Sequence, residues 1–266
     1  EESLKMELRL LESKKNITKF MLKSITPAFA NALRRSMLED VPVMAIEHVE
    51  LHKNSSVMYD EMIAHRLGLV PLTTDLKSYV LPKDCKCEGE GCARCQVKLS
   101  LKAKGPGIVL ISEMKSTDPH IKPVFADMPI VKLLKGQQLE FEATAQLGRG
   151  SDHAKWQPCL AFYQQRPIVE IKGSIDDPGK LVETCPVNVF TLKNNKAVVS
   201  KDDVLRCHLC AACTDVFGKN IEVSTANDFI FTVESWGQLS AKHILLKAVE
   251  LLGQHVEELG KALKAA

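Results

Sequence analysis

Cys207, Cys210 and Cys213, in the stretch CHLCAACTDVF, stand at the C-x2-C-x2-C spacing that opens a ferredoxin-type iron–sulfur run. That run would continue with a fourth cysteine at position 217, where Phe217 stands instead. In two-cluster ferredoxins the cysteine before a proline ligates the other cluster, so the missing ligand belongs at a distant Cys-Pro. Cys185-Pro186, in ETCPVNVF, is such a dipeptide. A second triad counted back from Cys185 would need cysteines at Leu181, Pro178 and Ile175, and none is there. Cys185, Cys207, Cys210 and Cys213 therefore form one complete ligand set for a single 4Fe-4S cluster. Zinc on the same four thiolates, or a site that has lost its metal, are the alternatives. The intervening FTLKNNKAVVSKDDVLR is long enough for a hairpin, as a ferredoxin-like insert requires.

Cys85, Cys87, Cys92 and Cys95, in CKCEGEGCARC, form a second group at C-x1-C-x4-C-x2-C spacing. Four thiolates so close in sequence can close a tetrahedral sulfur cage, the coordination that suits a structural Zn²⁺. Gly89 and Gly91 allow the chain to turn tightly enough to bring both pairs onto one ion. The competing reading is four free surface thiols, which would leave oxidisable groups side by side. Cys159, in WQPCLAFYQQ, has apolar neighbours and reads as a buried structural thiol.

Other chemistry is poorly supported. Asp60, Glu61 and His65 share the stretch YDEMIAHR without an H-E-x-x-H arrangement, and read as a solvated helix start. His153, in GRGSDHAKWQP, has no nucleophile motif beside it, which favours loop ordering or an interface. There is no P-loop, no G-x-G-x-x-G and no Asp-x-Asp-type cluster for two-metal phosphoryl chemistry. The sequence carries no active site of its own.

The elements that must position the cysteines follow from periodicity. Residues 3–24 alternate apolar and polar in two segments joined by ESKKN, a β-hairpin pattern. Thr26-Pro27 caps a helix in which Phe29, Leu33 and Met37 are expected to form a buried stripe. MAIEHVELHKN reads as a strand, DEMIAHRL as a short helix, and residues 99–147 as mostly β. CLAFYQQRPIVEIKG reads as a strand pair and DFIFTVESWG as a further strand. Ser240 opens a long last helix whose Leu245, Ala248, Leu252, Val256, Leu259 and Leu263 recur at three and four. Ile244 and Leu251 widen that stripe beyond the needs of a lone surface helix, so it packs on its own sheet or also meets a partner helix.

Bulk composition fits this picture. The 266 residues are 45% hydrophobic and 26% charged, with a net charge of +2, ordinary for a globular protein rather than one that coats nucleic acid. No uncharged stretch approaches the ~20 residues that span a bilayer. Charge alternates from Glu1 to Lys5 without a signal-peptide pattern. Clustered cysteines in such a chain point to metal binding in a reducing, cytoplasmic setting.

The stretches FANALRRSMLEDVPVMAIEHVELHKNSSVMYDEMIAHRLGLVPL, STDPHIKPVFADMPIVKLLKGQQLEFEATAQLGRGSDHAKWQP and DFIFTVESWG resemble, in order, the α-like subunit family of archaeal and eukaryotic RNA polymerases. The resemblance implies an α+β chain in three parts: a dimerisation domain (1–41, 160–173 and 228–266), an inserted mostly-β domain with the zinc-type knuckle (42–159) and a ferredoxin-like insert (174–227). It implies a non-catalytic assembly role. Members of the family pair with the smaller α-like subunit L, and the pair is a platform for the large catalytic subunits and the small subunits N and P, with little direct nucleic-acid contact. Adjacent Arg34 and Arg35 cannot both face the core of a short amphipathic helix, so they are expected at subunit contacts, with two solvated charges as the alternative; Leu245, Leu252, Val256, Leu259 and Leu263 are expected at the partner helix. Eukaryotic relatives typically have an eroded third domain, so the intact four-cysteine set favours the archaeal type. Some archaeal relatives are built for two clusters, which the missing second triad argues against. The rival classes are an electron-transfer or redox-sensing iron–sulfur protein and a zinc-knuckle nucleic-acid binder. The second would need a basic, aromatic-bearing face, against 5% aromatics here.

Overall fold

The computed structural model describes residues 6–200 and 203–265. The charge alternation from Glu1 to Lys5, and the first residues of the expected hairpin, lie outside them. The chain divides into two compact units: Glu1–Glu12, Lys19–Ala30 and Phe162–Thr232 in one, Ser13–Thr18, Asn31–Ala161 and Val233–Ala266 in the other.

Most of a four-stranded sheet lies in the first unit. Its order is β1 (Glu7–Ser13), β2 (Ile17–Lys23), β12 (Ile221–Ser235), β9 (Cys159–Ile171), so strands from both ends of the chain become neighbours. Phe20 and Phe231 stack at 5.1 Å and Tyr163 meets Phe229 edge-on, giving one face of the sheet an aromatic core. The expected strand pair at CLAFYQQRPIVEIKG is a single strand, β9. Pro167 breaks no ladder there because β9 is a sheet edge, where a missing N–H is tolerated. The cysteine-bearing segment adds α3 (Pro178–Thr184), the hairpin β10 (Phe190–Lys193)–β11 (Lys196–Val199) and α4 (Ala212–Phe217). Asn194 and Asn195 both take positive φ, 49° and 58°, as a two-residue type I′ turn demands. Leu181, Val189, Phe190 and Ile221 are the buried centre of this segment, and Cys185, Cys207 and Cys213 pack against it.

In the second unit β3 (Val43–Asn54), β8 (Gln138–Gly148), β4 (Gln96–Lys104) and β6 (Lys115–Ser116) form an antiparallel sheet in that order. A hairpin-like pair, β5 (Gly107–Leu110) with β7 (Pro129–Leu133), stands beside it in sequence. Apolar residues alternate along β4 and β8 and bury Leu99, Leu101, Phe141 and Ala143 against Ile63 and Leu67 of α2 (Asp60–Gly68).

Helix α1 (Pro27–Glu39) starts at the Thr26 cap, whose Oγ1 accepts from the Phe29 N–H at 3.2 Å. Its stripe differs from the expected one. Leu33 and Met37 are buried but Phe29 is 39% exposed, and Ala30 takes its place. The reason is phase: Ala30, Leu33 and Met37 keep the three-and-four spacing of one helix face, and Phe29 falls off its edge. Helix α5 (Ala241–Ala265) buries Ala241, Ile244, Ala248 and Leu251. Ser36 donates to the Ala248 carbonyl at 3.2 Å, an approach permitted because both residues are small. The flanking apolar stripe remains open, with Val256 at 69%, Leu259 at 60% and Leu263 at 70% exposure; Leu245 and Leu252 are half-buried.

Candidate metal centres

The knuckle thiols of Cys85, Cys87, Cys92 and Cys95 all lie within 4.8 Å of one another. A 3-10 turn at Pro82–Asp84 delivers Cys85, and Cys95 leads directly into β4. Between them Gly89 and Gly91 adopt φ of 88° and 100°, values that an L side chain rarely takes, so glycine is required by the turn itself. The Sγ separations are 3.5 Å for Cys85–Cys92, 3.6 Å for Cys87–Cys95 and 3.8 Å for Cys92–Cys95. A tetrahedron with ~2.3 Å zinc–sulfur bonds has edges of about 3.8 Å, so the four donors already enclose a space sized for one ion. The Gly91 N–H lowers the Cys87 thiol to about 6, favouring the thiolate that a metal needs. Burial pushes Cys95 up to about 12, a cost that a bound cation would reverse.

Cys185, Cys207, Cys210 and Cys213 line one small cavity with Val169, Val189, Phe190 and Val223. Cys185 comes from the end of α3, Cys207 from the 3-10 turn Asp203–Arg206, and Cys213 from the first turn of α4. They are spread wider than the knuckle set. Among the described residues, the knuckle is the sole cysteine group whose sulfurs all fall within 4.8 Å. Burial raises the Cys207 and Cys213 thiols, opposed by N–H donors of Leu209 and Thr214 respectively. The Val189 N–H donates to the Cys185 sulfur at 3.4 Å. Leu209 and Ala211 sit at φ 58° and 64°, left-handed conformations that strain a non-glycine backbone. Alternation of right- and left-handed residues makes the N–H concavities found around anionic clusters. The donor set, its N–H partners and its apolar lining fit an iron–sulfur group. Sequence reasoning singled out these four cysteines but not the strained pair, which carries no signal in residue type.

Other singled-out residues have plain roles. Cys159 is 1% exposed, and burial alone pushes its thiol to about 12. His153 Nδ1 accepts from the Lys155 N–H at 3.0 Å and so orders the loop before Trp156. Asp60, Glu61 and His65 are all exposed on α2. Arg34 bonds Asn31 at 2.9 Å and Arg35 pairs with Glu39 at 2.9 Å, both on the non-buried side of α1. No helix among the described residues is long and apolar enough to cross a membrane.

The mixed α/β architecture, with mostly antiparallel sheets, includes a segment at residues 49–159 that matches the RNA polymerase Rpb3/RpoA insert domain. The chain is 40% identical to DNA-directed RNA polymerase subunit Rpo3 of Methanosarcina acetivorans over 258 residues, covering 96% of this chain and 97% of that one. It is 38% identical to the Archaeoglobus fulgidus subunit Rpo3 over 260 residues (97% and 98%) and 39% to that of Pyrococcus furiosus over 248 residues (93% of each). The chain belongs to the DNA-directed RNA polymerase subunit Rpo3 family.

Proposed function

We propose that this chain is the α-like, non-catalytic assembly subunit of a DNA-directed RNA polymerase, and that it contributes a scaffold rather than an active site. The observation that carries this reading is identity near 40% maintained over almost the whole length of both chains. The electron-transfer alternative has no comparable support.

The chain pairs with the smaller subunit L through α1 and the open stripe of α5. The exposure of Val256, Leu259 and Leu263 supports this, since a contiguous apolar face of that kind marks an interaction site. Leu245 and Leu252 flank the same face. Arg34 and Arg35 hold the large catalytic subunits, and subunits N and P complete the platform. The domain division is a dimerisation frame of 1–41, 160–173 and 228–266, the insert domain of 42–159, and a ferredoxin-like insert of 174–227. β12 is continuous from Ile221, so the last boundary falls inside a strand. Cys85, Cys87, Cys92 and Cys95 hold Zn²⁺, which staples the knuckle. Cys185, Cys207, Cys210 and Cys213 hold one 4Fe-4S cluster, which ties the end of α3 to the segment before α4. The wider spread of the second thiol set supports a cluster over a single ion there.

Anaerobic co-expression with the archaeal L subunit tests the reading. A 1:1 complex with about four irons and one zinc per chain is expected. A well-behaved monomer that ignores L would overturn the assembly role, and colourless protein with two zincs would overturn the cluster.

A further inference from the structure

We infer that a groove on the first unit's sheet docks an acidic, aliphatic peptide segment of another polymerase subunit, a proposal that rests on the assembly reading above. The groove has a volume of about 790 Å³ and runs from β1 and β2 across β12 to β9, beside the 3-10 turn that precedes Cys207. Gln164 Nε2 donates to the Leu205 carbonyl at 3.0 Å and fixes that turn to the strand.

Charge and floor together select the occupant. Arg9, Lys19, Lys23, Arg166 and Arg206 line the groove with Glu12 and Asp228, and Arg206 pairs with Asp203 at its edge at 3.2 Å, a partly exposed i,i+3 pair. Arg9 has no ion-pair partner among the described residues. Arg166 meets Asp228 through Nε alone, at 2.8 Å, which leaves both terminal amino groups without a hydrogen-bond partner among the described residues. Lys19 and Lys23 pair with Glu12 and Glu7 at 3.3 and 2.9 Å at partly exposed positions, where such pairs are weak and exchangeable. Between these cations the lining is aliphatic, including Leu11, Met21, Leu205 and Ile230. Carboxylates flanking a Leu- or Ile-type anchor complement that pattern. A single-stranded nucleic acid fits less well, because no aromatic residue lines the groove to stack a base.

The test uses the polymerase reconstituted with this chain. Carbodiimide activates a carboxylate as an O-acylisourea, which the deprotonated amine of a touching lysine displaces to form an amide with release of the urea, and mass spectrometry maps the product. Lys19 or Lys23 should couple to an Asp or Glu of another subunit. Arg9→Glu, at an exposed position, should lower that yield roughly tenfold while Arg9→Lys retains it, as expected for a bond to a charged group. Coupling of both lysines only to Glu12 and Glu7, or ultraviolet cross-linking of this groove to nucleic acid instead, would overturn the proposal. Exclusion of the chain from the polymerase would overturn the assembly reading, and the docking site with it.

Discussion

Replacing Cys185 by serine tests whether the proposed shared cluster holds the segment around it. Cys185 and Cys207 are 22 positions apart in sequence but line the same cavity. A cross-link removes loop-closure entropy from the unfolded chain, and for a loop of that length the disulfide relation gives about 3 kcal/mol. The substitution itself is mild: Cys185 is half-buried, and its sulfur accepts one long bond from the Val189 N–H, so its loss without metal should cost under about 1 kcal/mol. Hydrogen exchange in the β10–β11 hairpin reads the difference. Protection of the Phe190–Val199 ladder should fall by about two orders of magnitude between the iron-loaded wild type and Cys185→Ser prepared identically. Metal-free wild type should resemble the variant, and amides of the β3–β8 ladder should be unchanged in all three. If metal-free wild type exchanges as slowly as the loaded protein, no ligand bridges the loop and the reasoning fails.

Stripping metal with a chelator, or Cys95→Ser, should unfold the 82–95 loop and expose β4, because the four thiols have no other cross-link; circular dichroism and proteolysis at Lys86 or Arg94 would report it. Leu252→Asp with Leu259→Asp should leave the monomer's melting temperature within a few degrees, since both lie outside the buried stripe, yet abolish pairing with L in gel filtration. Tyr79→Phe should cost about 1 kcal/mol at pH 7 by removing the 2.6 Å bond to Asp118. That bond and the His120 N–H hold the Asp118 carboxyl below its usual value, so the contribution is present above pH ~4 and fades as pH falls through the lowered folded value. Denaturant titrations of both proteins from pH 7 to pH 2 should converge at the acid end, and a gap that widens there would contradict this.

Sequence legibility followed how local each determinant is. Cap residues such as Thr26 and Ser240 act within one turn, and both helices start where those residues place them. Cys185-Pro186 drew attention to Cys185 because proline marks the odd cysteine of a ferredoxin run, and Cys185 does line one cavity with Cys207, Cys210 and Cys213. Phe29 was misplaced because the 100° step leaves Ala30 or Phe29 equally able to join Leu33 and Met37, and packing alone decides. The single strand β9, read from the sequence as a pair, tolerates Pro167 because it is a sheet edge, and edge position is a property of the sheet, invisible along the chain. The groove beside β1 was missed for the same reason, its cations being scattered from Arg9 to Arg206.

The sheet order β1-β2-β12-β9 also sets a timetable. β2 ends at Lys23 and its neighbour β12 begins at Ile221, so at ribosomal rates the first hairpin waits ~10–40 s for its partner strand. The knuckle and the β3–β8–β4 sheet depend on nearer neighbours and can close while synthesis continues. The segment that bears the open stripe of α5 follows β12 and emerges after it. A chain cut before Ile221 therefore lacks both the third strand of this sheet and the helix that carries the open stripe.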